Sequence, residues 1–334
     1  MSGLLLSTST LLNPVPDWLR LVRERCADVA QAAHDVQINE NRLSIFASEL
    51  FARPIGPQSL DWRYHFRGTP EETASFFVTL DTINFGSGYF PFLEKLPGLS
   101  GYFTIATHLT RFCYHHGVPD ARWLQSVTPQ QCATLFHQRT DDGPIWELMT
   151  FFARAWNQLG ELLEERYEGN PAILIAASDQ KAQQLITILL DLPFYRDIAQ
   201  YHGLEIPFLK RAQLLVADLS LALAGHPFGT FSDIGQLTIF ADNLVPHVLR
   251  CEGILEYSQS LATLIDHGEL VPTGSTEEIE IRAAAVHAVE RISSVVDQLG
   301  IKLTPHQLDH FLWERGQSPY FKTRPRHRTR SVFY

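Results

Sequence analysis

Apolar residues recur at helical spacing along most of this chain. The clearest case runs from Ser275 to Gly300. There Ile281, Ala285, Ala288, Ile292, Val295 and Leu299 form one stripe, with charged residues expected on the opposite face. Trp18, Val22, Val29 and Ala33 share a face directly after Asp17, a residue type suited to capping a helix. Thr69-Pro70-Glu71-Glu72 supplies a cap, a proline at the first helical position and an acidic first turn. Thr128-Pro129 and Thr304-Pro305 repeat the cap and the proline. Asp197 to Ala224 reads as a helix, a short turn at Gly203–Pro207 and a second helix. Strand-like alternation is short and scattered, as at Gly101-Tyr102-Phe103. The pattern predicts an all-α, mainly helical protein.

Length refines this picture. A chain of 334 residues suits one domain spanning 1–334, with two packed helical lobes as a variant of the same plan. No repeat or low-complexity tract divides it, and Pro54 to Pro57 reads as a connector within one unit. The hydrophobic share of 45% and charged share of 19% are those of a globular chain, which argues against disorder. A formal net charge of -10 opposes a broad duplex-binding face and leaves room for a small phosphorylated ligand held by a few local cations. Cys26, Cys113, Cys132 and Cys251 form no CxxC pair, so a reducing, cytoplasmic setting is expected. The apolar start, Met1 to Leu12, lacks the basic flank of a secretion signal, and no run approaches a membrane span. Basic Arg324 to Arg330 leads into Ser331-Val332-Phe333-Tyr334, and such an aromatic end is expected to dock against the body.

The common phosphate-loop, dinucleotide, nucleophile-elbow and zincin motifs are missing, so neither cofactor nor metal is expected. Gly86-Ser87-Gly88 reads as a tight turn, and the adjacent His115-His116 pair has no partner at metal-ligand spacing. Carboxylates are the better lead. Asp242 sits between Leu237, Ile239, Phe240 and Leu244, Val245, Pro246. A carboxylate in such company costs desolvation energy unless it is paired or used, although the residues by themselves favour a helix cap. Asp309 and Glu314 are five apart on a predicted helix, either bordering one pocket or lying on a solvated face. Lys210-Arg211 and His65 carry no pattern beyond a surface pair and a structural histidine.

Six stretches in order change these odds. They are Phe77–Phe85, Tyr195-Arg196-Asp197, Phe208–Asp218, Leu237–Pro246, Glu278–Arg282 and His327–Tyr334. Together they cover the chain from about residue 65 onward, and in this order the chain resembles the queuosine salvage family of queuosine 5'-phosphate N-glycosylases. The resemblance implies a helical fold related to helix-hairpin-helix DNA glycosylases, with Asp197–Ala224 as the hairpin unit. It implies that Asp242 of Phe240-Ala241-Asp242 is the catalytic carboxylate. Queuine contacts carry over to His65, Phe240, Asp309, His310 and Glu314. The chain departs from the family's pattern at Asn243-Leu244, where Tyr-Arg is usual, at Gly86–Phe90, and at Asp309-His310 and Glu314.

The substrate then implied is queuosine 5'-phosphate and the product queuine, without a stable nucleic-acid or membrane partner. Tyr89 or Phe90 would join Phe240 in stacking on the base. Lys210, Arg211 and Arg330 have the charge to hold a phosphate. Two other classes stay open at this point: a helix-hairpin-helix type nucleic-acid base glycosylase, and a non-enzymatic queuine-binding helical protein.

Overall fold

The computed structural model describes residues 16–52, 55–56, 58–141 and 143–334. The apolar start at Met1–Leu12, and Pro54 and Pro57 of the connector, lie outside the described residues. In chain order the first helices are α1 (Trp18–Ala32), α2 (Glu40–Ala52), α3 (Pro70–Thr82), α4 (Gly101–His116), α5 (Ala121–Ser126), α6 (Pro129–Leu135) and α7 (Pro144–Arg166). They are followed by α8 (Pro171–Ala176), α9 (Ala182–Leu189), α10 (Lys210–Ala222), α11 (Val245–Cys251), α12 (Gln259–Asp266), α13 (Thr276–Gln298), α14 (Pro305–Gly316) and α15 (Pro319–Lys322). Four short strands interrupt them: β1 (Val36–Ile38), β2 (Ile198–Tyr201), β3 (Leu204–Pro207) and β4 (Leu255–Tyr257). β1 and β4 pair antiparallel, with Gln37 opposite Glu256.

The helix starts follow from local chemistry. Asp17 accepts from Arg20 N at 3.0 Å. Thr69 accepts from Glu72 N at 3.2 Å while Glu72 returns a bond to Thr69 N at 2.8 Å, a closed capping box. Thr128 and Gln131 repeat the exchange at 3.2 and 2.9 Å. At α14, Gln307 Oε1 accepts from Thr304 N at 3.0 Å.

Two expectations fail. Asp197–Ala224 is not helix-turn-helix. Its first part is a β-hairpin pairing Tyr201 with Leu204, closed by His202 and Gly203 at φ 47° and 82°. Positive φ at both loop residues matches the twist of the flanking strands, which a helical connection would not need. Gly101-Tyr102-Phe103 is not a strand but the first turn of α4, capped by Ser100 accepting from Phe103 N at 3.2 Å.

Two helices organise the core. α3 packs against α4, α7, α8 and α10, and α13 against α1, α2, α11 and α14. α13 also differs from its expected form. Its N-terminal half is buried all round, including Glu278, Glu280 and Arg282 at 3%, 0% and 1% exposure. Each has an internal partner, as buried charge requires. Glu280 accepts from Asp35 N at 2.6 Å, His34 N at 3.1 Å, Val36 N at 3.2 Å and the Tyr201 hydroxyl at 2.9 Å. Arg282 grips both oxygens of Asp197 at 2.9 and 2.6 Å and donates through Nε to Ala241 O at 3.0 Å. Its guanidinium lies between the rings of Phe208 and Tyr334, 3.9 and 4.3 Å from their centroids.

The tail docks as its aromatic residues suggested. Tyr334 is buried; its hydroxyl donates to Glu278 Oε1 at 2.7 Å and its carbonyl accepts from Gly86 N at 2.9 Å. Val271 N donates to Arg328 O at 3.0 Å. Gly86, at φ 90°, opens the expected turn, with Tyr89 N donating back to its carbonyl at 2.8 Å. Gly88 lets the tail approach: a Cβ there would overlap the Thr329 carbonyl.

Candidate active site

A cavity of about 800 Å³ opens between the Phe240–Val245 segment, the start of α10, α14, the Asp61–His65 loop, the start of α4 and the tail. Asp242, His65, Phe240, Asp309, His310, Glu314 and Lys210 all line it. These residues are scattered over 250 positions of sequence, and only the fold brings them together.

Asp242 caps a helix and still lines the cavity. Oδ1 accepts from Leu244 N at 2.7 Å and Val245 N at 3.0 Å, so one oxygen caps the entry to α11. Oδ2 takes no hydrogen bond from the described residues, and the half-buried side chain is part of the cavity wall. Two backbone amides fix the orientation of the carboxylate while leaving its second oxygen unused. The segment before it is equally fixed. Ala241 O is held by Arg282, and Phe240 N donates to Asp309 Oδ1 at 2.7 Å.

Asp309 is buried on α14. Burial pushes its carboxyl up to about 7; the Phe240 amide opposes the rise, the negative charge of Asp242 adds to it and Lys210 opposes it. Glu314 stands at the mouth instead, its side chain 63% exposed. His310 Nε2 lies 3.2 Å from Glu314 Oε1 without hydrogen-bond alignment. The two carboxylates thus border one cavity at different depths.

Lys210 opens α10 and is buried. The residue before it, Leu209, is held left-handed at φ 54°, a strained conformation for a branched side chain. Asp197 holds it there by accepting from Lys210 N at 3.1 Å. Lys210 Nζ donates to Asn84 O at 3.4 Å, and burial lowers its affinity for a proton while Asp242 raises it. Asp218, further along α10, also lines the cavity, and burial raises it and neighbouring Asp81 well above the ordinary carboxylate range.

His65 has no free nitrogen. Nδ1 is 2.8 Å from Asp61 O, an acceptor only, so Nδ1 carries the proton and Nε2 accepts from the Tyr102 hydroxyl at 2.8 Å. Burial keeps the ring neutral by lowering its proton affinity.

Three sequence candidates are absent from the cavity lining. Arg211 is buried beneath it, donating to the carbonyls of Thr82, Phe194 and Val332 and sandwiched between Phe85 and Tyr195 at 4.7 Å each. Arg330 lies over Tyr89 and Phe92 at 5.4 and 5.1 Å. Tyr89 is buried outside the lining, whereas Phe90 belongs to it. Conversely, Lys95, Arg326, Asp218, Tyr102 and Trp313 line the cavity without having been singled out as site residues. Lone charged residues in loops carry no spacing signal; the Phe208–Asp218 stretch was the nearest pointer.

Two segments that the sequence reading set apart from the family's pattern touch each other. Asn243 Nδ2 donates to Ser87 Oγ at 2.6 Å, and Thr329 N donates to Asn243 Oδ1 at 3.2 Å, tying the Gly86–Gly88 turn and the tail to the Asp242 segment.

Comparison with known proteins identifies the family. A family model described as "Queuosine salvage protein" matches residues 64–334. Proteins named queuosine 5'-phosphate N-glycosylase/hydrolase are similar over nearly their whole length. The one from Sphaerobacter thermophilus is 36% identical, covering 92% of this chain and 95% of its own. The one from Dictyostelium discoideum is 37% identical, covering 97% and 100%. The one from Bos taurus is 31% identical, covering 95% and 100%. The chain belongs to the queuosine salvage protein family.

Proposed function

We propose that this protein hydrolyses the N-glycosidic bond of queuosine 5'-phosphate, releasing queuine and ribose 5-phosphate for reuse in tRNA modification. The observation that carries the reading is Asp242, a carboxylate fixed by two amides on a cavity wall with one oxygen unused, in a chain whose relatives bear that activity in their names.

Breaking the C1'–N bond builds positive charge on the ribose. A carboxylate beneath C1' stabilises that charge, more strongly in a low-dielectric cavity than in water. It also orients the attacking water, whose oxygen bonds to C1' as the C1'–N bond breaks. One water proton ends on the departing base. That base is a 7-deazapurine without N7, so it is not activated by protonation there. Its Watson–Crick edge presents N–H donors and its side arm an ammonium, and Asp309 and Glu314 are acceptors for such groups. Phe240 and Phe90 offer stacking faces, His310 lines the same wall, and His65 supports it through Tyr102.

The rest of the reading is one domain over 1–334, related to the helix-hairpin-helix base glycosylases, working in the cytoplasm without a cofactor. The packing of α13 against α1, α2, α11 and α14 supports the single domain, and that of α9 against α10 on either side of the β2–β3 hairpin supports the relation. The net charge of -10 weighs against a nucleic-acid base as substrate.

The decisive test is release of free queuine from queuosine 5'-phosphate. Asp242→Asn keeps an oxygen for the two amides and removes the charge; the expected loss in kcat is at least about 100-fold. Asp242→Ala loses the cap as well. Wild-type activity in both variants would remove Asp242 from the mechanism. If the wild type releases no queuine, the substrate is wrong; a thermal shift with queuine would then distinguish a binding protein from an unrelated one.

A further inference from the structure

We infer that Lys95 and Arg326 form the subsite that holds the substrate's 5'-phosphate. This rests on the nucleotide reading above and replaces Lys210, Arg211 and Arg330 in that role.

Each of those three cations is otherwise engaged. Lys210 stands among Asp242, Asp81 and Asp309; Arg211 is spent on carbonyls; Arg330 lies on aromatic rings. Lys95 and Arg326 are different. Both line the cavity that holds Asp242, and neither makes a hydrogen bond or ion pair with the described residues.

Their backbones, by contrast, are pinned. On one side of Lys95, Glu94 N donates to Gln138 Oε1 at 3.0 Å while Gln138 Nε2 donates to Glu94 O at 3.0 Å. On the other, Leu96 N donates to Thr104 Oγ1 at 3.2 Å. Arg326 precedes the buried His327, and Arg328 O accepts from Val271 N at 3.0 Å. Two segments far apart in sequence therefore place cationic residues on one cavity wall, Lys95 at its exposed edge and Arg326 half-buried.

The charges are close enough to oppose each other: burial, then the charge of Arg326, holds Lys95 below the ordinary lysine range. Burial lowers Arg326 too, and Asp242 counteracts it. Neither side chain is hydrogen-bonded to a carboxylate of the described residues, so an anion bound between them would relieve their mutual repulsion. A phosphate dianion satisfies both: the guanidinium offers a fork to two oxygens and the ammonium a point charge. Arg326, Lys95 and Asp242 line the same cavity, so a nucleotide bound there meets the carboxylate and both cations.

The test compares kcat/KM for queuosine 5'-phosphate and for queuosine in the full-length protein. Lys95→Met and Arg326→Met are each expected to lower the nucleotide-to-nucleoside ratio about tenfold or more. Lys95→Arg should keep most of it. Inorganic phosphate should raise the melting temperature of the wild type, and less so that of Lys95→Met. An unchanged ratio, or equal losses on both substrates, overturns the assignment. If the wild type cleaves neither substrate, the glycosidase reading has failed. The phosphate shift then decides alone, and a shift of wild-type size in Lys95→Met rejects the anion site.

Discussion

Replacing Arg282 by Met should cost this protein a large part of its stability. Arg282 is 1% exposed and neutralises Asp197 and Glu278, each 3% exposed. Removing it leaves Asp197 with the Lys210 amide as its remaining named donor, and Glu278 with the Tyr334 hydroxyl, the Gly274 amide and its own helix cap. Breaking a buried pair from one side typically costs about 3–5 kcal/mol. Loss of the stacking on Phe208 and Tyr334 adds to this. Total stability of a folded protein is only about 5–15 kcal/mol, so Arg282→Met stands near the limit of folding. Urea melts followed by circular dichroism would measure it. Arg282→Lys keeps the charge but lacks the planar fork, and should lose about 1–3 kcal/mol. The double variant Arg282→Met, Asp197→Asn removes both charges and should recover more than about 1 kcal/mol over additivity. A loss under about 1 kcal/mol in Arg282→Met, or strict additivity, would refute the claim that the ion pair is energetically central. Because Arg282 also holds Ala241 O, Arg282→Lys should lower kcat at temperatures where it stays folded.

Three further outcomes follow from the geometry. Asp309 titrates near 7 when folded against about 3.8 ordinarily, so unfolding releases its proton between these values and its carboxyl makes stability fall as pH rises from 4 to 7. Asp309→Asn keeps an acceptor for Phe240 N, and its stability relative to wild type should climb by up to a few kcal/mol (order of magnitude) over that range; a difference that stays flat with pH contradicts the burial argument. Thr69→Ala opens the α3 capping box and should cost about 1 kcal/mol in urea melts, without changing KM. Tyr334→Phe loses the bond to Glu278 and should cost about 1–3 kcal/mol, whereas Tyr334→Ala should cost about 3–5 kcal/mol; equal losses would show that the hydroxyl alone matters there and the ring's packing adds nothing.

What could be read from residues alone was local. Caps at Asp17, Thr69, Thr128 and Thr304 depend on three or four neighbours, and those neighbours are contiguous. The hairpin at 198–207 escaped because its strands are four residues each and its turn uses a left-handed His202, which no periodicity announces. The charged residues of α13 looked solvent-facing because their partners, Asp197, Tyr201 and Tyr334, come from distant segments. The site divides in the same way. Family resemblance pointed to Asp242 and Asp309, but only the fold shows Phe240 N bonded to Asp309, Arg211 withdrawn beneath the cavity, and Lys95 brought to its wall.

The docked tail has a consequence for how the molecule is made. Arg326 and Tyr334 are part of the cavity wall, alongside residues as early as Gln58. On the ribosome, a nascent chain can form most of its helices while this wall is still unsynthesised. The pocket wall is therefore completed only when the segment from Arg326 to Tyr334 has joined residues made much earlier. Closing it joins segments more than 250 positions apart, a long loop to order, so pocket closure should be among the slow steps of folding. Formation of the cavity would then report docking of the 326–334 segment more strictly than helix content does.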